Sequence, residues 1–254
     1  MSSQDSEINI LIPIVGRGSR LKEKYNLPKP LVVIDNKTII EHCISSFKVP
    51  GRYIFVVRKY DEYENGRELV EILKTILRHL KPDCSIIQTD EMTEGPASSA
   101  LLAKEYINND NPLIITNCDQ KTLWNPHDFL TVASSVDGCV TTYNRPDIVV
   151  GQKSKYSFIK LNEEHIATHL VEKFAISDLA LNGIHYWKHG KDFVSSAEEM
   201  IKANVRVNNE FYISETYNFL IKMGKVVKHY QMKDGEFLAL GDIQELEMYN
   251  RLIQ

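Results

Sequence analysis

Residues 8–15, INILIPIV, form an almost unbroken apolar run, the pattern of a strand buried on both faces. The same look returns in RYIFVVR (52–58), CSIIQT (84–89), PLIITNCD (112–119) and GCVTTY (138–143). Between these runs the apolar period becomes helical. TIIEHCISSF (38–47) predicts a helix with Thr38 as N-cap, and GRELVEILKTILRHL (66–80) carries one apolar face at helical spacing. ASSALLAKEYI (97–107) predicts a helix with Pro96 near a favoured first-turn position, and HDFLTVASS (127–135) a short one. Strands alternating with helices indicate a parallel sheet with right-handed crossovers.

After Tyr143 the pattern changes. YSFIKL (156–161), HIATHLVEK (165–173) and LALNGIHYW (179–187) predict strands joined by short links. Helices return at 191–204 and 214–224, a strand at 225–232, and a last helix at 242–253, where Asp242 caps and Glu245 stands at the capping-box position. The chain shows no repeat or flexible linker. It predicts one α/β domain, residues 1–254, whose second half lays antiparallel strands over the sheet.

Composition excludes more than it assigns. With 254 residues, 43% apolar and 25% charged, the chain can bury a sizeable core. A net charge of −4 gives no reason to expect nucleic acid or an acidic membrane as partner, so any anion must be held by local charge. Cys43, Cys84, Cys118 and Cys139 are widely spaced without a CxxC pair, which suits reduced thiols in the cytosol. No apolar run has membrane-span length, and the polar start MSSQDSE predicts a disordered N-terminus and no signal peptide.

In an open α/β sheet, ligands sit at the carboxyl ends of the strands. Directly after the first strand come Gly16, Arg17, Gly18, Ser19 and Arg20, and then Lys29 between Pro28 and Pro30. Glycines let backbone N–H groups approach an anion, arginine offers a planar fork to phosphate, and lysine a compact charge. A dinucleotide fingerprint needs a third glycine and an immediate helix. Leu21 and Lys22 follow instead, which argues against it. A P-loop needs Gly-Lys-Ser/Thr, which is absent, and a plain surface turn does not account for the rigid LPKPL that follows.

GxGxR followed by PKPL resembles the signature of the nucleotidyltransferases that make nucleotide sugars, the sugar-1-phosphate pyrophosphorylases. The resemblance runs from about residue 8 to residue 252 and is closest to short bacterial-type members placed with capsule or lipopolysaccharide genes. It implies a Rossmann-like, GT-A-like α/β fold: a mixed, mainly parallel sheet flanked by helices, with residues 8–143 for the nucleotide and an added antiparallel part, 144–254, for the sugar phosphate. By the same resemblance TEGPASSAL supplies the turn whose backbone reads the nucleobase, with Thr93, Gly95 and Ala97, and Gln88 corresponds to a base-contacting glutamine. Asp119, past a buried strand, becomes the Mg²⁺ ligand, and its neighbour Cys118 turns away into packing. Glu172 and Lys173 match a pair whose lysine meets the sugar phosphate, and Asn182 and Gly183 shape the sugar pocket. His185 and His189, on a strand, are not expected to share a metal. Related enzymes carry a second metal-binding aspartate in a Trp-x-Asp-x-Gly-Thr stretch. Aligned on Gly241, that place falls to Ala239, which leaves Asp119, phosphates and water, or a substitute such as Glu215 or Asp242.

The reaction implied is NTP plus a sugar 1-phosphate giving NDP-sugar and pyrophosphate. The nucleophile is already ionised, so catalysis is positioning and charge neutralisation. Arg20 and Lys29 would hold the leaving pyrophosphate, Lys173 the sugar phosphate, and Mg²⁺ on Asp119 the reacting groups. Rival readings are a glycosyltransferase consuming nucleotide sugars, a nucleotide-sugar-binding regulator without turnover, and a transferase acting on a non-sugar phosphate such as phosphocholine. The resemblance also implies a cytoplasmic enzyme, possible homo-oligomers, and neither nucleic acid nor membrane as partner.

Overall fold

The computed structural model describes residues 7–90 and 92–253, so the predicted N-terminal disorder lies almost wholly outside the described residues. The chain opens with β1 (Asn9–Ile14), whose alternate side chains enter two different cores, Ile10, Ile12 and Ile14 on one face and Leu11 on the other. A helix follows the glycine loop at once: α1 (Ser19–Tyr25). This corrects the sequence expectation. Gly18 caps it without a side-chain hydrogen bond, so no capping residue announces it. A 3-10 turn at Lys29–Leu31 leads to the hairpin β2 (Val33–Ile34) and β3 (Lys37–Thr38).

Thr38 then caps α2 (Ile39–Phe47) in a full capping box with Glu41. β4 (Arg52–Arg58), α3 (Gly66–Leu80) and β5 (Ser85–Thr89) fall where periodicity places them. The helix expected over 97–107 is two short ones, α4 (Pro96–Leu101) and α5 (Lys104–Ile107), broken at Leu102 and Ala103. β6 (Leu113–Thr116) ends just before Asp119, and the short β7 (Gln120–Thr122) begins just after it. Next come α6 (Pro126–Ala133), β8 (Gly138–Asn144), β9 (Lys153–Leu161), β10 (Ala167–Phe174) and β11 (Leu179–Trp187). The chain closes with α7 (Gly190–Lys202), α8 (Ile213–Lys222), β12 (Val227–Gln231), β13 (Phe237–Ala239) and α9 (Ile243–Leu252).

The described residues build a nine-stranded sheet in the order β10-β9-β11-β6-β1-β4-β5, with β8 beside β11 and β12 beside β8. Only β10 and β11 run against the other strands of this sheet. The antiparallel strands therefore do not lie over the sheet, as expected from sequence, but extend it. β11 wedges between β6 and β8, pairing Ile184 with Thr116 and His185 with Val140. This brings residues from the second half of the chain to the end of β6, where Asp119 sits. A smaller apolar cluster joins Leu21 of α1 and Val32, Ile34 and Ile39 to Leu240, Leu246 and Tyr249, so the last helix packs on the glycine-loop helix.

Candidate active site

The glycine loop leaves β1 at the carboxyl edge of the sheet. Gly18 has φ +61°, and a Cβ there would lie 2.8 Å from Lys29 Cβ. The glycine serves two needs, a left-handed turn and the close approach of the lysine. Gly16 has open space where its Cβ would be, and Arg17, Ser19 and Arg20 are exposed. The loop divides two hollows. Arg20 borders a cavity of about 690 Å³, and Arg17 and Ser19 border one of about 530 Å³ with Arg58 and Lys59.

Lys29 is held by its proline-flanked turn, and its Nζ lies 2.6 Å from Asp119 Oδ2, each side chain 21% exposed. Burial works against the ammonium, but Asp119 more than offsets it and holds the Lys29 pKa above its ordinary value. The carbonyl of Asp119 accepts from the Leu240 N–H at 2.8 Å, and Gln120 pairs with Ala239 across β7 and β13. Cys118 turns into the core, where burial pushes its thiol up to about 11.

The larger cavity gathers Arg20, Asp119, Glu172, Asn182 and Gly183. Glu172, 8% exposed, accepts hydrogen bonds from the hydroxyls of Ser157 and Ser214, and its backbone N–H donates to Glu215 at 2.9 Å. Burial outweighs those hydroxyls and raises the Glu172 pKa. Lys173 follows in a bulge of β10 at φ +59° and does not itself line the cavity. Its ammonium hydrogen-bonds the hydroxyl of Tyr212, which does. Asn182 accepts from Thr141 and donates to Met232 Sδ. Gly183, at φ +88°, has no room for a Cβ because Asn117 Nδ2 would lie 2.0 Å from it.

The segment expected to read the base is pinned to Phe211. A Cβ on Gly95, at φ +119°, would lie 2.6 Å from Phe211 N. Ala97 is fully buried and donates its N–H to Phe211 O at 3.0 Å, so that amide is already engaged. Thr93 donates to Gly95 O at 3.3 Å, and Gln88 stands exposed on β5, the last strand in the sheet order. Of the phosphate and acceptor candidates, Arg20, Asp119, Glu172, Asn182 and Gly183 meet around one cavity and Arg17 and Ser19 border the other, while Lys173, Gln88, Thr93, Gly95 and Ala97 lie apart from the lining of the first.

Sequence reasoning missed Asn117, Lys155 and Tyr212, which border the larger cavity. Asn117, two residues before Asp119 at the polar end of β6, carried a readable signal. Tyr212 carried none, because only the bulge at Lys173 brings the two together. Of the proposed substitute carboxylates, Glu215 holds the Glu172 amide and Asn218, and Asp242 caps α9. Among the described residues no three His, Cys, Asp or Glu side chains group closely enough to hold a metal by themselves. Mg²⁺ needs only one or two carboxylates beside substrate phosphates. Asp119 fits that role: it borders the larger cavity, and Gly241 lets its Oδ2 approach the backbone closely, since a Cβ there would lie 2.6 Å from it.

A mainly parallel sheet with a cationic glycine loop and an aspartate at its carboxyl edge defines an α/β nucleotidyltransferase. The profile of the MobA-like NTP transferase domain matches residues 11–144, and the chain belongs to that family. It is 21% identical over 253 residues to the bifunctional protein GlmU of Campylobacter fetus, covering 98% of this chain and 54% of that protein. The chain thus spans about half the length of this curated relative. A nucleoside-diphosphate-sugar pyrophosphorylase from Vibrio cholerae RC9 shares the fold, with TM-score 0.77 and 22% identity over 95% of this chain and 99% of that one. The CTP:phosphocholine cytidylyltransferase of Streptococcus pneumoniae does so with TM-score 0.70 and 15% identity over 98% and 100%.

Proposed function

We propose that this nucleotidyltransferase joins an NTP to a sugar 1-phosphate, releasing pyrophosphate and an NDP-sugar for surface polysaccharide precursors. The observation that carries this reading is Lys29 paired with Asp119, which borders a cavity together with Arg20 and Glu172. Residues 8–143 supply the nucleotide side and 144–254 the acceptor side. Arg20 and Lys29 hold the departing pyrophosphate, and Lys173, steadied by Tyr212, meets the acceptor phosphate. Glu172, with two serine hydroxyls behind it, accepts from sugar hydroxyls. Gly16 to Ser19 lie along the nucleotide phosphates, and Gln88 and Thr93 border the base, while Gly95 and Ala97, packed on Phe211, shape the turn behind it. Asp119 would hold Mg²⁺, which when bound neutralises phosphate charge. The nucleophile is an ionised phosphate oxygen, so no general base is needed. No helix among the described residues is long and apolar enough to cross a membrane, and we assign the enzyme to the cytoplasm, where NTPs are made.

A non-sugar acceptor such as phosphocholine is the second reading. The rings of Tyr143 and Phe237, 5.1 Å apart, border the same cavity, and aromatic faces attract quaternary ammonium groups. Pyrophosphate release measured with each NTP, Mg²⁺ and a panel of sugar 1-phosphates plus phosphocholine separates the two. Release with a sugar 1-phosphate supports the first, and release with phosphocholine alone the second.

A further inference from the structure

The fold sets a second carboxylate beside Asp119 from an unexpected element. Ala239 stands opposite Gln120, so the strand position next to Asp119 offers no ligand. Glu245, in the first turn of α9, reaches back over Gly241 instead. A Cβ built on Gly241 would lie 2.6 Å from Asp119 Oδ2 and 3.4 Å from Glu245 Oε2. Only a residue without a Cβ lets these carboxylates from two elements close in on the backbone at that point, where Asp119 Oδ2 also faces Lys29 Nζ at 2.6 Å. A third oxygen belongs to the same wall. Gln120 is 3% exposed and lines the cavity with Asp119 and Glu245, and its Oε1 has no hydrogen-bond partner among the described residues. A buried amide oxygen left without a donor is costly, and a cation at that wall would offset the cost.

Glu245 is held in place independently of any ligand. Its Oε2 accepts from the N–H groups of Gly241 at 2.9 Å and Asp242 at 3.2 Å, and its Oε1 faces Lys155 Nζ at 3.3 Å. The capping box thus fixes the carboxylate toward the cavity while serving the helix.

We propose that Glu245 acts with Asp119 to hold the divalent cation, in the place that Ala239 leaves without a carboxylate. Hard oxygen donors of this kind suit Mg²⁺ and its analogue Mn²⁺. The assignment rests on the nucleotidyl-transfer reading, and its test does not need turnover. Mn²⁺ binding to the full chain is followed by electron paramagnetic resonance, with a thermal melt of each variant. Glu245→Gln keeps the cap, because glutamine serves at that position. It should weaken Mn²⁺ binding by about 10-fold or more, the scale on which metal sites respond to altered partners. Adding Ala239→Asp to Glu245→Gln should restore binding, and Asp242→Asn should leave it unchanged. Wild-type Mn²⁺ affinity in Glu245→Gln, or no binding by the unaltered chain, overturns the assignment. A chain that binds Mn²⁺ through Glu245 yet releases no pyrophosphate would instead defeat the transfer reading alone.

Discussion

Lys29 Nζ and Asp119 Oδ2 lie 2.6 Å apart although ninety positions separate them in sequence. The fold brings a cation from the glycine-loop side and an anion from the end of β6 to one point. Both are only 21% exposed, so neither is fully solvated and each depends on the other.

Lys29→Ala should lower kcat by about 10²-fold or more, the loss expected when a preorganised charge is removed from a phosphoryl transition state. Pyrophosphate release at saturating substrates checks this, beside a thermal melt. Unchanged turnover in a folded variant removes Lys29 from the chemistry. Lys29→Met and Asp119→Asn should each destabilise the fold more than half as much as the double variant, because each alone leaves an unpaired charge. Simple additivity in urea denaturation would contradict that coupling.

Gly18→Ala should act on both stability and turnover. A left-handed alanine costs about 1–2 kcal/mol, and its Cβ would meet Lys29 Cβ at 2.8 Å. A fall in melting temperature of about 2–4 °C per kcal/mol is expected, with a lower kcat as Lys29 is displaced. A variant with wild-type melting and turnover would mean that the loop tolerates a different path.

Gly95→Ala should be the more damaging of the two glycine changes. Its Cβ would meet backbone atoms of Phe211, N at 2.6 Å and O at 2.7 Å, which cannot rotate away. Comparison of the two melting temperatures decides the order, and Gly95→Ala melting at or above Gly18→Ala refutes it.

His185 gives a pH signature. Buried against Trp187 and Tyr217, its imidazole is pulled down from 6.5 to about 3 by burial. The unfolded chain takes up that proton near pH 6.5 and the folded chain does not. The stability tied to the neutral ring is therefore complete above about pH 6.5 and is lost progressively as pH falls toward about 3. His185→Phe should show a shallower loss of melting temperature between pH 6.5 and pH 4 than the unaltered chain. Parallel curves would show that the ring does not carry this dependence.

Much of this was readable from local pattern. The double-sided burial of β1 shows in its unbroken apolar run, Thr38 announces α2, and Asp242 with Glu245 announces α9. What escaped is non-local. Nothing near residue 184 says that β11 enters beside β6, because that pairing joins Ile184 to Thr116 across the chain. α1 escaped because Gly18 caps it without a side chain. The three-residue strands β7 and β13, which carry Gln120 and Ala239 together, are too short for periodicity to detect. The phosphate-binding candidates were legible because a glycine-arginine loop and a proline-fenced lysine are local chemistry. Tyr212 and Lys155 were not, because each reaches the cavity only through tertiary packing.

The most direct test of nucleotidyl transfer follows the label. The full chain is incubated with Mg²⁺, a sugar 1-phosphate and each NTP carrying ³²P at either the α or the γ position, and the products are separated. The account predicts that α label appears in an NDP-sugar and γ label leaves as pyrophosphate. Label from the γ position in a phosphorylated acceptor or as free phosphate, with none from the α position in a sugar nucleotide, would contradict it.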